Sequence, residues 1–225
     1  HIRIAGPAVY GVRHTCHTDG AFMERPQFDD GEDPAEFLSR RDGDSGIQIL
    51  SSGPIGQWHN IALMFEKAIA GAKKCIYLAT PYFLPTDSLM TALQAAALSK
   101  VDVRVLIPRK PDSSMMKLAS GSYIADCLRA GIKVYFYEAG MLHAKTIVID
   151  DEFFTTGSTN FDFRSFEYNF ECNAFIYDRA INKQMKEAFY ADLEQSTRIT
   201  SATWRRRPFF QKFKESCVRL MSPVL

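Results

Sequence analysis

The chain contains the stretch His143-Ala-Lys-Thr-Ile-Val-Ile-Asp150, and Gly157-Ser-Thr-Asn160 follows it. Residues 146–149 are apolar and mostly β-branched, which predicts a strand anchored in a hydrophobic core. Side chains alternate between the two faces of an extended segment, so His143 and Lys145 project to the same side. The stretch therefore predicts a core strand that presents an imidazole and an ammonium group together.

An imidazole beside an ammonium group is suited to phosphoryl transfer. The imidazole can attack phosphorus or pass a proton, and the lysine can neutralise phosphoryl oxygens. Ser158 and Asn160 fall on the next turn, from which they can donate hydrogen bonds to the same oxygens. A coincidental His-x-Lys on a surface strand is the alternative, and the glycine-serine-asparagine element makes the phosphate site the better interpretation.

Apolar runs alternate with segments of helical periodicity along the chain. The predicted strands cover residues 47–50, 75–79, 101–107, 132–137 and 145–149. The predicted helices cover residues 58–70, 87–99 and 114–130. A further strand pair at 152–156 and 169–177 would add antiparallel edge structure, and a long helix at 179–195 follows it. This alternation predicts an α/β fold with a mostly parallel sheet and helices on its faces.

The composition excludes several classes of protein. The 225 residues carry a net charge of +1, so any preference for an anionic partner must come from local clustering of charge. The five cysteines are scattered without CxxC spacing, which predicts free thiols rather than a zinc site. The longest apolar stretch, residues 75–84, is too short to span a bilayer. We expect no metal and no other cofactor.

Two segments differ in charge from the rest of the chain. Residues 24–44 hold eight acidic and three basic side chains, with prolines and glycines between them, which predicts a solvated loop or linker. Residues 204–225 hold six lysines or arginines and one glutamate, and their apolar side chains fall on one helical face. Both a helix lying on anionic lipid and a helix docked on the domain fit this tail.

The pattern HxKxxxxD followed by GSxN resembles the signature of the phospholipase D superfamily. That resemblance implies a phospholipase D-like α/β domain with a mixed, mostly parallel sheet flanked by helices on both faces. It makes His143 and Lys145 catalytic, Asp150 a structural residue of the catalytic motif, and Ser158 and Asn160 phosphate ligands. It also implies that Glu171, on the following strand, lies against the imidazole; a carboxylate on Nδ1 would fix the tautomer.

Further stretches resemble the bacterial cardiolipin synthase family, among them Ala79-Thr-Pro-Tyr-Phe-Leu-Pro85 and the run 160–165. Tyr82 and Phe83 follow a predicted strand at its carboxyl end, where ligand sites of α/β proteins gather. Lining of a lipid site and simple core packing both remain open for these two residues.

Members of that family carry two such motifs, which face each other across a pseudo-twofold axis, and only the second is present here. The opening, residues 1–9, resembles the segment that follows the first motif. We therefore expect a C-terminal half whose true start lies upstream. Its parts are a trailing segment of the first half (1–22), an acidic linker (23–45), the catalytic domain (46–200) and a basic-aromatic tail (201–225).

The resemblance implies an enzyme that joins two phosphatidylglycerols into cardiolipin and glycerol through a phosphohistidine, with His143 as the general acid. The expected partners are anionic phospholipid, the membrane surface and either the N-terminal half or a second copy, with no nucleic acid. The expected location is the cytoplasmic face of the bacterial inner membrane, reached through upstream transmembrane spans. The alternatives are a phospholipase D-like phosphodiesterase or nuclease, which would need a basic groove, and a non-catalytic lipid-binding module.

Overall fold

The computed structural model describes residues 2–23 and 43–222. The described strands are β1 (Gly46–Ser52), β2 (Cys75–Ala79), β3 (Phe83–Leu84), β4 (Asp102–Pro108), β5 (Lys133–Tyr137), β6 (Thr146–Ile149), β7 (Phe153–Gly157), β8 (Phe161–Asp162), β9 (Glu171–Tyr177) and β10 (Ser196–Ile199). The described helices are α1 (Ala8–Phe22), α2 (Asn60–Gly71), α3 (Asp87–Leu98), α4 (Ser114–Ala130), α5 (Phe163–Glu167), α6 (Arg179–Glu194), α7 (Ser201–Arg205) and α8 (Phe209–Arg219). The predicted acidic linker, 23–45, lies outside the described residues except at its two ends.

Eight of the strands form one mixed sheet in the order β1-β9-β7-β6-β2-β4-β5-β10, and β3 pairs with β8 separately. The sheet is mixed, as expected, but antiparallel pairings outnumber parallel ones, so the expected excess of parallel pairing is wrong. Only the β2-β4 and β4-β5 pairs are parallel within the large sheet. These are the strands joined by the helical crossovers α3 and α4, whereas β6 and β7 are joined by a tight turn, which imposes an antiparallel pair.

Helices cover both faces of the sheet, as predicted. Ile76 and Leu78 of β2 point into a core shared with α2, α3 and α4. Cys75, Tyr77 and Ala79 point to the opposite face, where they meet α6. Because β2 is buried on both faces, its sequence is a continuous apolar run rather than an alternating one.

Local signals in the sequence set the ends of the helices. The hydroxyl of Thr86 accepts a hydrogen bond from the backbone N–H of Leu89 at 3.4 Å and caps α3. Gly131 follows α4 with φ of 91°, a left-handed conformation that glycine adopts without steric cost. The predicted helix over 114–130 therefore has the bounds of α4.

The N-terminal and C-terminal segments both pack against this body. Helix α1 contacts β1, with Gly11 close to the side chain of Ile49. The tail forms α7 and α8, and α8 packs along α4. Within the described residues, no helix combines the length and the apolarity needed to cross a bilayer.

Candidate active site

His143 and Lys145 lie immediately before β6, which begins at Thr146 rather than at Lys145 as predicted. Strand β6 runs antiparallel to β2, and Thr146 pairs with Ala79. The two functional side chains therefore sit beside the carboxyl end of β2. The Nζ of Lys145 is 3.2 Å from Nδ1 of His143 and 3.3 Å from the His143 carbonyl oxygen, so the predicted juxtaposition is present.

The contact between Lys145 and His143 occupies one nitrogen of the imidazole. A lysine ammonium group can only donate, so Nδ1 is the acceptor in this contact. Burial lowers the pKa of Lys145, while the nearby carboxylates of Glu171 and Asp162 oppose that shift. The arrangement leaves Nε2 as the ring nitrogen available to a phosphate group or a leaving alcohol.

Asp150, the last residue of the motif, binds the backbone of the segment before β2 rather than the phosphate position. Its carboxylate accepts hydrogen bonds from the backbone N–H groups of Lys73 at 2.9 Å, Lys74 at 2.7 Å and Cys75 at 2.9 Å. Partial burial favours the neutral acid, but these three donors outweigh it and lower the pKa of Asp150. These contacts are those of a structural residue that fixes the end of β6 against the start of β2.

Ser158 and Glu171 form a hydrogen-bonded pair across the ends of β7 and β9. The Ser158 hydroxyl donates to the Glu171 carboxylate and accepts from the backbone N–H of Cys172 at 3.0 Å. The other Glu171 oxygen accepts from the Asn169 amide at 3.1 Å. The predicted contact of Glu171 with Nδ1 of His143 is therefore wrong within the described residues, because β7 lies between β9 and β6.

Asn160 and Asp162 add a buried polar group to the site. Asn160 hydrogen-bonds to Asp162, while its own Oδ1 is buried without a partner among the described residues. Asp162 is only 3% exposed and caps α5 by accepting from the backbone N–H of Ser165 at 2.8 Å. Burial raises the pKa of Asp162, and repulsion from Glu171 adds to the rise, against the hydrogen bonds from Ser165 and Asn160. The sequence interpretation missed Asp162, although an aspartate directly before a short helical segment is a capping signal.

The glycine of the second motif element is required by close packing. A Cβ at Gly157 would lie 2.2 Å from Oδ1 of Asn173 and 2.3 Å from the Cys172 carbonyl oxygen. Asn173 is fully buried, and its Oδ1 accepts from the backbone N–H of Thr159 at 3.3 Å and from the Thr159 hydroxyl at 2.7 Å. Asn173 thus holds the loop that carries Ser158, and no sequence pattern had singled it out.

Tyr82 and Phe83 separate into two environments. The Tyr82 ring stands edge-on to the His143 imidazole with 6.4 Å between centroids, and its hydroxyl donates to Asp112 at 2.7 Å. Burial, together with this carboxylate, raises the pKa of Tyr82 to about 12. Phe83 is 1% exposed and stacks on Phe161, so of the two interpretations left open for it, core packing is the one observed.

The sequence matches the family described as "Cardiolipin synthase, PLD-like domain" over residues 65–193. The chain is 42% identical to cardiolipin synthase 1 of Staphylococcus aureus (strain COL), in a match that covers 100% of this chain and 46% of that protein. It is 40% identical to the cardiolipin synthase of Listeria welshimeri, covering 100% of this chain and 47% of the relative. The chain spans about half the length of the curated relatives it matches.

Two solved structures share the fold. Nuc from Salmonella typhimurium, a phospholipase D family member, aligns with a TM-score of 0.59 and 25% identity, covering 70% of this chain and 100% of Nuc. The phosphatidylserine synthase of Haemophilus influenzae aligns with a TM-score of 0.65 over 80% of this chain and 48% of that one; at 14% identity it supports the fold alone. The match over more than half of the residues, together with this fold, assigns the chain to the cardiolipin synthase, phospholipase D-like domain family.

Proposed function

We propose that this chain is the C-terminal catalytic half of a phosphatidyltransferase that joins two phosphatidylglycerols into cardiolipin and glycerol. The observation that carries the proposal is the pairing of His143 with Lys145 at 3.2 Å. The carboxylates that act on Lys145, Glu171 and Asp162, are the hydrogen-bond partners of Ser158 and Asn160. Such a pairing offers one proton-transfer group and one cation at a single phosphate-sized position. The identity of 40–43% with cardiolipin synthases along the whole chain supports the choice of substrate.

In this proposal His143 is the general acid and then the general base. A histidine of the other half attacks phosphorus, the bond from phosphorus to the glycerol oxygen breaks, and Nε2 of His143 gives its proton to that oxygen. The hydroxyl of a second phosphatidylglycerol then gives a proton to Nε2 and attacks the phosphohistidine, which frees the first histidine. The contact of Lys145 with Nδ1 supports this assignment, since it leaves Nε2 as the ring nitrogen that can exchange a proton with the leaving and attacking oxygens.

Lys145 and Asn160 then hold the phosphoryl oxygens, and Ser158 joins them when its hydroxyl turns from Glu171 to the phosphate. Glu171 acts on the phosphate site through Ser158, because its carboxylate receives the Ser158 hydroxyl rather than the imidazole. Tyr82 supplies an aromatic wall beside His143. A single copy of these residues offers either a nucleophile or an acid, whereas each turnover needs both at once.

Exposed apolar side chains that neighbour the catalytic and phosphate-site residues in sequence, here called the apolar rim, fit a contact with the second half. Met141, two residues before His143, is 39% exposed, and Tyr168 and Phe170 are exposed on either side of Asn169. Exposed apolar groups concentrated at one place indicate a contact surface. We infer that this rim receives the N-terminal half of a longer protein or, in its absence, a second copy of this chain.

The tail supplies a second surface, which we assign to anionic membrane lipid. Helix α8 turns its charged side inward, where the carboxylate of Glu215 is buried and pairs with Arg207. Its phenylalanine face (Phe209, Phe210 and Phe213) is left 75%, 75% and 57% exposed. Basic side chains flank this face, at Arg205, Arg206 and Lys212. Aromatic rings beside basic groups suit the interface of an anionic bilayer.

These partners fit a place at the inner membrane of a bacterium, with transmembrane spans in the N-terminal half. The nucleic-acid alternative lacks a matching feature, since the basic clustering in the sequence is confined to the tail. A narrower alternative is a hydrolase completed by a second copy of the chain, because the whole of Nuc aligns with one copy of this domain. The product separates the two: cardiolipin for the transferase, phosphatidic acid for a hydrolase.

The test reassembles the enzyme from two separate chains, this one and the N-terminal half of its parent protein. Phosphatidylglycerol labelled in the phosphatidyl group is added, the reaction is quenched at alkaline pH to preserve the phosphoramidate, and the chains are separated by size. We expect cardiolipin only when both chains are present, label on the N-terminal chain, and no cardiolipin with His143→Ala. Cardiolipin formed by this chain alone as a monomer contradicts the proposal, and label on this chain reverses the two histidine roles.

A further inference from the structure

A second cavity lies beside the catalytic residues but shares none of them. It has a volume of about 460 Å³ and lies between the carboxyl ends of β4 and β5 and the tail helices α7 and α8. Pro81 forms part of its wall, and the next residue, Tyr82, has its ring 6.4 Å from the His143 ring. The cavity is therefore adjacent to the phosphate site, at the end of the parallel strands where α/β proteins bind ligands.

The lining of this cavity is cationic. Arg109, Lys117, Arg198 and Arg207 line it, and Glu215 is the single carboxylate among its lining residues, all of which belong to the described part of the chain. Arg109 is paired with Glu138 outside the lining at 2.8 Å, and Arg207 is paired with Glu215. Within residues 2–23 and 43–222, the side chain of Lys117 has neither an ion-pair nor a hydrogen-bond partner, whereas Arg198 stands opposite Tyr135 and projects to the other face of the sheet. The Arg109 guanidinium lies 4.6 Å from the Phe136 ring of the lining, and its ion pair is exposed and therefore weak. Lys117 and Arg109 are thus available to an anion.

The rest of the lining is apolar and aromatic. Ile107, Leu118 and Phe136 contribute to it, and the Trp204 ring lies 6.1 Å from the Phe136 ring. The Arg207 guanidinium stacks over the Trp204 indole at 3.4 Å. The indole N–H of Trp204 is buried without an acceptor among the described residues. The cavity therefore combines cations with an apolar wall, a combination that fits an anion attached to a hydrocarbon body.

We propose that this cavity binds the phosphodiester of the second phospholipid, the lipid whose hydroxyl accepts the phosphatidyl group. The inference rests on the proposed function. The acceptor phosphatidylglycerol keeps its own phosphodiester throughout the reaction, one glycerol unit away from the hydroxyl that reacts. That charge needs cations outside the site formed by His143 and Lys145 but next to it. Lys117 and Arg109 supply those cations, and the apolar wall takes the lipid beyond the phosphate.

Tryptophan fluorescence offers a direct test, because the chain has two tryptophans, Trp58 and Trp204. In a Trp58→Phe background, Trp204 reports on the cavity alone. We expect dihexanoyl phosphatidylglycerol, kept below its micelle concentration, to change the emission saturably. The double variant Lys117→Gln/Arg109→Gln should weaken this binding by about tenfold or more, the effect of losing one charge-assisted hydrogen bond or more. The matched control Lys67→Gln, exposed on α2 and outside the lining, should bind as the parent does.

Further arms identify the ligand class and separate this inference from the function it rests on. His143→Ala should leave the Trp204 response intact, since His143 does not line the cavity. Equal affinity for inorganic phosphate would refute a lipid site, and equal affinity for dihexanoyl phosphatidylcholine would refute the requirement for net negative charge. In the two-chain enzyme the double variant should form the phosphohistidine adduct normally and raise the KM for the acceptor lipid. A normal KM overturns the cavity proposal alone, whereas binding at Trp204 with no adduct in any variant overturns the proposed function alone.

Discussion

Replacing Asp150 tests whether this residue of the motif is structural. Its carboxylate accepts three backbone N–H groups at 2.7–2.9 Å, and its own φ of 52° lies in the left-handed region. Each hydrogen bond contributes about 1 kcal/mol net, with the exposed bonds to Lys73 and Lys74 at the lower end of the range. The left-handed backbone costs alanine about 1 kcal/mol more, whereas asparagine tolerates it and keeps one acceptor oxygen. We therefore expect a loss of about 3 kcal/mol for Asp150→Ala and about 1 kcal/mol for Asp150→Asn.

Urea unfolding of the chain at pH 7 measures both variants. The midpoint should fall without a change in slope, and the melting temperature of Asp150→Ala should drop by about 6–12 °C. Asp151→Ala is the matched control, because its ion pairs with Lys74 and Lys186 lie on the surface. We expect that control to cost less than about 1 kcal/mol. An Asp150→Ala chain as stable as the parent, or an asparagine variant as unstable as the alanine one, would refute the structural interpretation.

The same contacts predict a dependence on pH. The pKa of Asp150 is lowered in the folded chain, so its charge favours folding. This contribution is fully present above the unfolded pKa, about 3.9, and is lost as the pH falls through the lower folded value. The difference in stability between the parent and Asp150→Asn should therefore be constant near neutral pH and shrink below about pH 4. A difference that grows on acidification would contradict the assignment of the three donors.

Three further outcomes follow from the packing. Gly157→Ala should destabilise the chain by about 2 kcal/mol or more in urea unfolding, since its Cβ would overlap Asn173 and a backbone carbonyl. The control Gly71→Ala, with open space around the new Cβ, should be neutral or stabilising. Glu215→Ala should reduce the free energy of unfolding by about 3 kcal/mol, because it leaves the largely buried Arg207 unpaired. An unchanged unfolding midpoint would show that this ion pair does not stabilise the fold. Serine at all three positions of the phenylalanine face should reduce sedimentation with phosphatidylglycerol vesicles by about tenfold while leaving the unfolding midpoint unchanged. Undiminished sedimentation would show that this face does not bind lipid.

The strands and helices that surround the site could be predicted closely from the sequence. Strand β2 and helix α4 have the predicted bounds, because a strand buried on both faces is a continuous apolar run and because Gly131 marks the end of the helix. The pairing of His143 with Lys145 followed from the alternation of side chains, although β6 itself begins one residue later than predicted. These features depend on neighbours within a few residues, which the sequence displays directly.

The features that sequence reasoning missed depend on contacts between distant segments. The balance of parallel and antiparallel pairs depends on which strand takes each place beside β6, and no local pattern encodes that choice. Glu171 meets Ser158 rather than His143 because β7 intervenes, and spacing along the chain cannot reveal an intervening strand. Phe83 follows a strand end in sequence, yet its ring turns to Phe161, a residue 78 positions later.

The tail shows why an amphipathic pattern leaves the orientation of a helix open. A period of 3.6 residues predicts two faces for α8 but does not say which one turns inward, and an apolar face would ordinarily be buried. Here Glu215 faces α4, close to Gly121, and its pairing with Arg207 keeps the charged side inside. The inner side of α8 consequently forms a wall of the cationic cavity, while the phenylalanine face points away from it. Under the two proposals made for them, α8 would place its rings among lipid tails while its inner side closes the cavity that holds the lipid phosphate, so the acceptor lipid would reach the cavity without leaving the membrane surface.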